Sequence, residues 1–211
     1  MMRVAIWGAS SGLGAAMVDY FYQQNIEVIA IAREPSKNPK LNNKKITTIS
    51  CDAIDKDQVQ TAVLALPENT LNISTMGSFG ADIPVDYIGH RYLIDALEKS
   101  TSQHLLLVTS LGCGESWKYL SERAKMGFGG AVREKTLAEA WLQSSALRYT
   151  ILRPGGLKDG AATYKGELSQ YIEVHGAIHR TEVARLSHEL LLNSNNYGKI
   201  YQCVDPTVTP Y

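Results

Sequence analysis

The chain has 211 residues, of which 45% are hydrophobic and 20% charged, and its 21 basic residues balance its 21 acidic residues. This composition excludes disorder as the dominant state and argues against a broad basic surface for nucleic acid. No apolar run reaches the roughly 20 residues of a transmembrane helix, and the apolar run at the first residues is too short for a signal peptide. We therefore expect one globular domain, residues 1–211, with neither nucleic acid nor a membrane as partner.

The cysteine and histidine residues give no sign of a disulfide framework or a metal site. Cys51, Cys113 and Cys203 form no CxxC pair, and their odd number is typical of a reducing compartment, so we expect a cytoplasmic protein. His175 and His179 have helical spacing, but Gly176 lies between them and weakens any helix that would align them. We expect no metal.

Short apolar runs alternate with longer amphipathic stretches along the chain. The runs predict buried parallel strands at residues 4–7, 27–32, 46–49, 71–76, 105–109 and 149–152, with a final edge strand at 198–204. The amphipathic stretches predict helices at residues 14–24, 56–66, 86–99, 131–144 and 181–193. Thr181 is the expected N-cap of the last helix. This alternation predicts an α/β fold, a Rossmann-like doubly wound parallel sheet with helices on both faces.

The segment 155–180 interrupts the alternation with several glycines. Because it follows the sixth strand, we expect it to form a small cover over a substrate. We predict no second domain.

A glycine-rich run follows the first strand and begins the first helix: Gly8-Ala9-Ser10-Ser11-Gly12-Leu13-Gly14. In a dinucleotide-binding turn the first glycine allows a sharp turn, the second lets the backbone approach a pyrophosphate, and the third lets the helix pack on the sheet. The free N–H groups of such a helix end bind phosphate. We therefore predict phosphate contacts from Gly8, Ser10, Ser11, Gly12, Leu13 and Gly14. A tight turn without a ligand is the alternative.

The residue about 20 positions after the third glycine usually distinguishes NAD from NADP. Here it is Arg33, with Lys37 close behind. A guanidinium favours the 2′-phosphate of NADP and offers no acceptor to a free diol. The alternative is a solvated Arg33 beside Glu34, which would itself accept the diol.

Four further loops follow predicted strands at the edge where ligands bind in open parallel sheets. Asp52 and Ala53 are expected beside the adenine, and Met76 and Gly77 beside the adenosine ribose and the diphosphate. Thr109 is expected to bind the cofactor, and the glycines of Pro154-Gly155-Gly156 are expected to let the backbone approach the carboxamide of the nicotinamide. Ordinary turns explain several of these residues nearly as well.

These features, with the runs LLLVTSLGCGES and VREKTLAEAWLQSSALRYTILRPGG, resemble the atypical, single-domain short-chain dehydrogenases/reductases. That group includes NAD(P)H-binding proteins similar to the flavin reductase/biliverdin-IX-beta reductase and to the NmrA-like regulators. The resemblance covers nearly the whole chain, and it implies a nicotinamide cofactor without specifying a substrate.

The sequence departs from the best-known members of this superfamily at one position. Those members use a Tyr-x-x-x-Lys pair and a serine at the end of the fifth strand. Lys135 and Ser110 match the lysine and the serine, but Ala131 stands where the tyrosine would be. Tyr119 and Tyr164 replace it only if folding brings them to the nicotinamide. Carbonyl reduction with a tyrosine proton donor is therefore not expected.

An acceptor that stabilises charge by itself, such as a flavin, a quinone or a bilin, needs less help from a side-chain acid. We expect Ser110 to donate a hydrogen bond to the acceptor and Lys135 to hold a ribose hydroxyl or adjust the local field. The alternatives are that Ser110 only caps the next turn and that Lys135 pairs with Glu134 or Glu139 on its own helix.

The sequence therefore predicts an NADPH-dependent oxidoreductase that transfers hydride to a small planar or conjugated acceptor. The alternative is an NADP-binding sensor without turnover, and an isomerase or epimerase is less compatible with the short chain. Tyr87, Tyr92 and the helix around Trp141 form either a homodimer face or part of the core.

Overall fold

The computed structural model describes residues 2–43, 46–78, 82–102 and 104–210. Its strands are β1 (Arg3–Trp7), β2 (Glu27–Ala32), β3 (Thr47–Ser50), β4 (Leu71–Ser74), β5 (His104–Val108), β6 (Arg148–Pro154), β7 (Gly156–Lys158), β8 (Glu167–Ser169), β9 (Ala177–His179) and β10 (Lys199–Val204). Its α-helices are α1 (Gly12–Gln23), α2 (Pro39–Asn43), α3 (Lys56–Leu64), α4 (Val85–Leu97), α5 (Glu122–Gln143) and α6 (Arg180–Leu191). None of the helices in these ranges combines the length and apolar character needed to cross a bilayer.

The main sheet confirms the predicted fold class. Its strand order is β3-β2-β1-β4-β5-β6-β10-β8, and all neighbours are parallel except β8, which pairs antiparallel with β10. From β1 the strands are added toward one edge of the sheet up to β3, and from β4 onward they are added toward the other edge. Ligands bind at this kind of topological switch point in open α/β sheets. β7 and β9 form a separate parallel pair.

Both faces of the sheet are covered, which explains why the strands are continuously apolar. On β1, Val4 and Ile6 pack against α1 and α6, whereas Ala5 and Trp7 pack against α3, α4 and α5. Successive strand side chains point to opposite faces, so a strand buried on both faces needs apolar residues at every position.

α5 begins at Glu122, earlier than the predicted start at residue 131. Ser121 caps it, since its hydroxyl accepts a hydrogen bond from the Ala124 N–H at 3.2 Å. Glycines in the first turns hide the helical periodicity. One of them, Gly129, packs under Trp117, because a Cβ there would lie 3.0 Å from the indole ring.

Two other sequence expectations were wrong. β10 is not an edge strand, because β8 of the segment 155–180 pairs along its outer side. Thr181 is not the N-cap of α6, because the helix begins one residue earlier with His179 at the cap. The Thr181 hydroxyl instead donates to the Gly160 carbonyl at 2.6 Å and ties the segment to the helix.

The aromatic side chains of α4 and α5 pack against each other within the chain. The rings of Tyr87 and Trp141 meet edge to face at 6.3 Å, and Trp141 Nε1 donates to Asp95 Oδ1 at 2.8 Å. Tyr87, Tyr92 and Trp141 are partly buried against the core. A homodimer remains a proposal.

A buried ion pair fixes α5 to the ends of β5 and β6. Arg153 donates from Nη2 to Glu139 Oε2 at 2.6 Å and from Nε to Oε1 at 3.0 Å, and both side chains are only 2% exposed. The Thr109 hydroxyl also donates to Glu139 Oε1, at 2.6 Å. This carboxylate therefore holds the residue that follows β5.

Replacing Glu139 by Gln should destabilise the protein strongly, because buried Arg153 then keeps only the exposed carboxylate of Glu115, 4.0 Å away, as a counter-charge. We expect the free energy of unfolding in urea to fall by about 3–5 kcal/mol. Adding Arg153→Met should recover part of that loss, because the double variant buries no charge. Glu134→Gln on the same helix is the control, and we expect it to leave the midpoint of urea unfolding unchanged. A loss as small as the control's would show that the pair is not structural.

Candidate cofactor and substrate site

A cavity of about 440 Å³ opens at the carboxyl ends of the central strands. It lies where the strand order reverses, between the loops that follow β1 and β4. Many of the predicted site residues line it: Gly8, Ser10, Ser11, Gly12, Leu13, Arg33, Asp52, Ala53, Met76, Gly77, Thr109 and Lys135. The folding of the chain therefore brings residues from six separate loops and helices to one cavity.

The three glycines of the first turn are required for three different reasons. Gly8 has φ +85°, and a Cβ there would lie 3.1 Å from the Met76 nitrogen. Gly12 has φ +51° but open space around it, so only its backbone conformation favours glycine. Gly14 lies behind the cavity, where a Cβ would come within 2.0 Å of the Gly8 oxygen. Any side chain at Gly14 would push α1 away from the turn.

The turn leaves hydrogen-bond donors at its front. The N–H groups of Gly8 and Ala9 both donate to the Ile31 carbonyl, at 3.0 and 3.1 Å, so they only hold the turn to β2. Ser11 is the N-cap of α1, yet its hydroxyl makes no capping bond. The first N–H groups of α1 have no acceptor within the helix. This end of α1 is therefore built to receive an anion.

Asn38 supports the turn and was missed by the sequence analysis. Its amide Nδ2 donates to the Ser10 carbonyl at 2.8 Å, and its Oδ1 accepts from the Lys40 N–H at 3.0 Å. The side chain thus occupies a carbonyl of the turn and leaves the N–H groups for a ligand. Its only signal in the sequence is that Asn-Pro favours a turn.

Arg33 follows β2 and is exposed at the edge of the cavity. Glu34, the alternative acceptor for a ribose diol, pairs with Lys37 at 2.7 Å and does not line this cavity, although it lines the depression beside it. A shallower depression continues from Arg33, and its other polar lining residues are Glu34, Ser36, Asn42, Thr48 and Ser50. Ser50 and Asn42 already donate to the carbonyls of Arg33 and Ser36. The Arg33 guanidinium is therefore the donor there that suits an anion, and Lys37 balances the charge of Glu34.

The Asp52 loop makes one wall of the cavity. Asp52 Oδ1 accepts from the Ile54 N–H at 3.2 Å, and the Asp52 N–H donates to Gln58 Oε1 at 2.9 Å. Asp52 therefore shapes the turn before α3 while it also lines the cavity. Burial raises the pKa of the neighbouring Cys51 thiol to about 11, so this thiol is neutral and unreactive.

Lys135 pairs with Asp86 of α4 rather than with Glu134 or Glu139 of its own helix. Its Nζ lies 2.7 Å from Asp86 Oδ1 and donates to the Met76 carbonyl at 3.2 Å. The other Asp86 oxygen accepts from the N–H and the hydroxyl of Ser78, at 2.8 and 2.9 Å. The ammonium is thus fixed to the loop after β4, with one N–H left over.

The Asp86 carboxylate stays ionised although it is only 1% exposed. Burial alone would raise its pKa, but the charge of Lys135 and the hydrogen bonds from Lys135 and Ser78 outweigh burial, so the pKa lies below the usual carboxyl value. Asp86 therefore neutralises Lys135 at the cavity wall. The sequence analysis missed Asp86, because nothing local connects residues 86 and 135.

Several predicted residues do not line the cavity. Ser110 is partly buried, and its hydroxyl donates to the Leu111 carbonyl at 3.0 Å. The Pro154-Gly155-Gly156 run also lies outside the lining, and a Cβ on Gly155 would lie 2.4 Å from the Gly176 oxygen. Gly155 therefore serves the close packing of the end of β6 against the chain before β9, whereas a Cβ on Gly156 would make only ordinary contacts at 3.8 Å.

Neither candidate replacement for the missing tyrosine reaches the cavity. The Tyr119 ring lies under Lys118 Nζ, and Tyr164 is exposed beside Arg185. Within the described part of the chain, the cavity lining contains no tyrosine.

The segment 155–180 contributes two residues to the cavity, Leu157 and Arg180. Buried Glu182 anchors the segment by accepting from the N–H groups of Tyr164 and Gly166, at 3.1 and 2.9 Å. Its role as a cover over a substrate remains a proposal.

A family model described as NAD(P)H-binding matches residues 8–194. Among solved structures, ChuY of Escherichia coli, described as an anaerobillin reductase, has a TM-score of 0.88 and 42% identity over 100% of both chains. Sanguinarine reductase of Eschscholzia californica is 34% identical over 47% of this chain and 37% of its own length. Chloroplastic TIC 62 of Arabidopsis thaliana is 28% identical over 79% of this chain, which spans only 27% of that protein.

Replacing Asp86 by Asn should destabilise the protein at neutral pH by about 1–3 kcal/mol, because Lys135 loses its counter-charge. A carboxylate with a lowered pKa contributes its full stability above the pKa of an unfolded aspartate, about 3.9, and loses that contribution as the pH falls through the folded pKa.

The difference between wild type and Asp86→Asn should therefore shrink on acidification below about pH 4. Urea unfolding at a series of pH values measures it. Glu134→Gln is the control and should match wild type at every pH. Equal effects of the two variants would mean that Asp86 does not hold Lys135.

Proposed function

The chain belongs to the NAD(P)H-binding family, among the atypical short-chain dehydrogenases/reductases, and from that membership we propose that it is an NADPH-dependent reductase of a small conjugated acceptor. The chain is an NAD(P)H-dependent oxidoreductase of a reductase family, and the proteins it resembles include an anaerobillin reductase and a sanguinarine reductase. The observation that carries the proposal is the glycine turn, whose donors face the cavity at the switch point of the sheet.

The proposed cofactor position follows from the polarity of the lining. The diphosphate binds at the amino end of α1, and the adenine lies beside Asp52 and Ala53. Arg33 and its polar depression receive the 2′-phosphate, which favours NADPH over NADH. The nicotinamide then lies near Thr109, at the end of the cavity that α5 and Leu157 border.

The residues around Thr109 orient the reactants more than they transfer protons. The bound nicotinamide supplies the hydride, and the reduced acceptor takes up a proton from solvent. The Thr109 hydroxyl donates to Glu139, so its oxygen is left to accept a hydrogen bond. Lys135 holds a ribose hydroxyl through its remaining N–H. A donor role for Ser110 toward the acceptor requires its side chain to turn away from Leu111 and toward the cavity, which it does not line.

A bilin is the acceptor class that we favour. It delocalises the negative charge that hydride transfer creates, which suits a cavity whose described lining offers no tyrosine acid. The description of ChuY as an anaerobillin reductase supports the same class, since the two chains match over their full lengths at 42% identity. Flavins and quinones are the other acceptors that need little acid catalysis.

The second candidate is a sensor that binds NADP without turnover. Ala131 at the position of the superfamily tyrosine favours it, because a protein without a catalytic acid binds the same cofactor and transmits its presence.

Turnover separates the two candidates. Purified protein is mixed with NADPH and with biliverdin, FMN or menadione, while the absorbance of the reduced nicotinamide is followed. We expect acceptor-dependent oxidation, with biliverdin among the substrates. NADPH binding without oxidation by any acceptor would establish the sensor.

Replacing Arg33 by Asp should weaken NADPH binding by about 10-fold to 100-fold, because the 2′-phosphate loses a charged donor. NADH binding should change far less. Titration calorimetry with both cofactors measures the two effects. Lys40→Gln removes a nearby cation that pairs with Asp19 at 3.4 Å, and it should change neither affinity. Equal losses for NADPH and NADH would refute the role of Arg33.

A further inference from the structure

Arg180 is a cation at the cavity to which the proposed reaction assigns no contact with the cofactor or the acceptor. It is the first residue of α6 and lines the cavity together with Leu157, Val108 and Thr109. Arg33 lines the cavity after β2, and the segment that carries Arg180 follows β6. β2 and β6 are four strand spacings apart, roughly 19 Å at the usual distance between strands. The two arginines thus belong to opposite ends of the site.

The hydrogen bonds of Arg180 are incomplete. Its Nη1 lies 2.7 Å from Asp159 Oδ1, but its buried Nε has no hydrogen-bond partner within the described residues. The arginine side chain is 25% exposed, whereas that of Asp159 is 93% exposed. An ion pair with such an exposed partner is weak, because water solvates the carboxylate nearly as well. A ligand carboxylate can therefore exchange with Asp159 at little cost.

The other cation on this wall is not available in the same way. Lys135 is held by Asp86, which is 1% exposed and fixed by two hydrogen bonds from Ser78. Removing Lys135 from that carboxylate would leave a buried charge without a partner. A negative group at the nicotinamide end is thus attracted to Arg180 rather than to Lys135.

We propose that Arg180 binds a carboxylate of the acceptor, so that the protein selects conjugated acceptors that carry an acidic side chain. This inference rests on the proposed reductase function and makes its substrate class narrower. The planar part of the acceptor packs on Leu157 and Val108, and its carboxylate takes the place of Asp159 in a fork-like pair with the guanidinium. Uncharged quinones gain nothing from this contact.

Replacing Arg180 by Gln tests the inference. The KM for biliverdin, which has two propionates, should rise by about 10-fold to 100-fold, because a charged hydrogen bond is lost. The kcat, the KM for menadione and the affinity for NADPH should stay unchanged. Biliverdin dimethyl ester should show similar KM values with wild type and with Arg180→Gln.

Two control variants keep the test specific. Lys158→Gln removes a cation from the same segment at a position that does not line the cavity, and it should behave as wild type. Asp159→Asn removes the competing carboxylate and should lower the KM for biliverdin or leave it unchanged. Equal losses for the acid and the ester, or a weaker affinity of Arg180→Gln for NADPH, would overturn the proposal.

Direct binding separates this inference from the proposed reaction. Biliverdin is titrated into the protein saturated with NADP, and its visible absorbance is followed. If wild type binds biliverdin tightly and Arg180→Gln binds it weakly but neither oxidises NADPH, the carboxylate site stands and the reductase function fails. If wild type and Arg180→Gln turn over biliverdin with the same KM, the reductase function stands and the carboxylate site fails.

Discussion

The cofactor site depends on an approach between the first helix and its turn that only glycine permits. A Cβ on Gly14 would lie 2.0 Å from the Gly8 oxygen and 2.8 Å from the Thr75 hydroxyl. The amino end of α1 can therefore lie against the carboxyl ends of β1 and β4. The N–H donors of α1, the Asp52 loop and the Lys135 contacts all border the crevice that this packing creates.

Those features that local sequence determines could be predicted. Both bounds of the strand at residues 27–32 were predicted correctly. Its two faces are both buried, so its apolar run is continuous and no Gly or Asn interrupts it. The glycine turn was recognisable because its three glycines fall within seven residues directly after a strand. The start of α5 was not predicted, because glycines interrupt the apolar periodicity of its first turns. The Ser121 cap lies nine residues before Gly130, outside the stretch in which the periodicity is recognisable. The interior position of β10 depends on a pairing with β8, which no local pattern reveals.

The partners of the charged residues in the candidate site were likewise not predictable from local sequence. Local reasoning placed Lys135 at the site but considered partners only on its own helix. Helix packing instead brings Asp86 of α4 to the ammonium, while Glu139 turns inward to Arg153 and Thr109. Spacing along one helix predicts neighbours on that helix, whereas a partner about fifty residues away depends on how two helices meet over the sheet. Asn38 was missed for the same reason, since its target carbonyl lies on another loop.

The cations of the cavity differ in how firmly their carboxylate partners hold them: some are fixed, and others can exchange their partner for a ligand. The Lys135–Asp86 pair is fixed, because separating it would leave a buried carboxylate unpaired. Arg180 is exchangeable, because its partner Asp159 loses little on returning to water. The fixed pair can therefore shape the cavity wall without attracting anions of its own. Under the proposed function, the ends of the cavity then set which ligands bind: Arg33 acts on the cofactor phosphate, and Arg180 acts on the acceptor. A change in the charge of the acceptor would then involve Arg180 in the segment 155–180, while the sheet, the glycine turn and the buried ion pairs stay as they are.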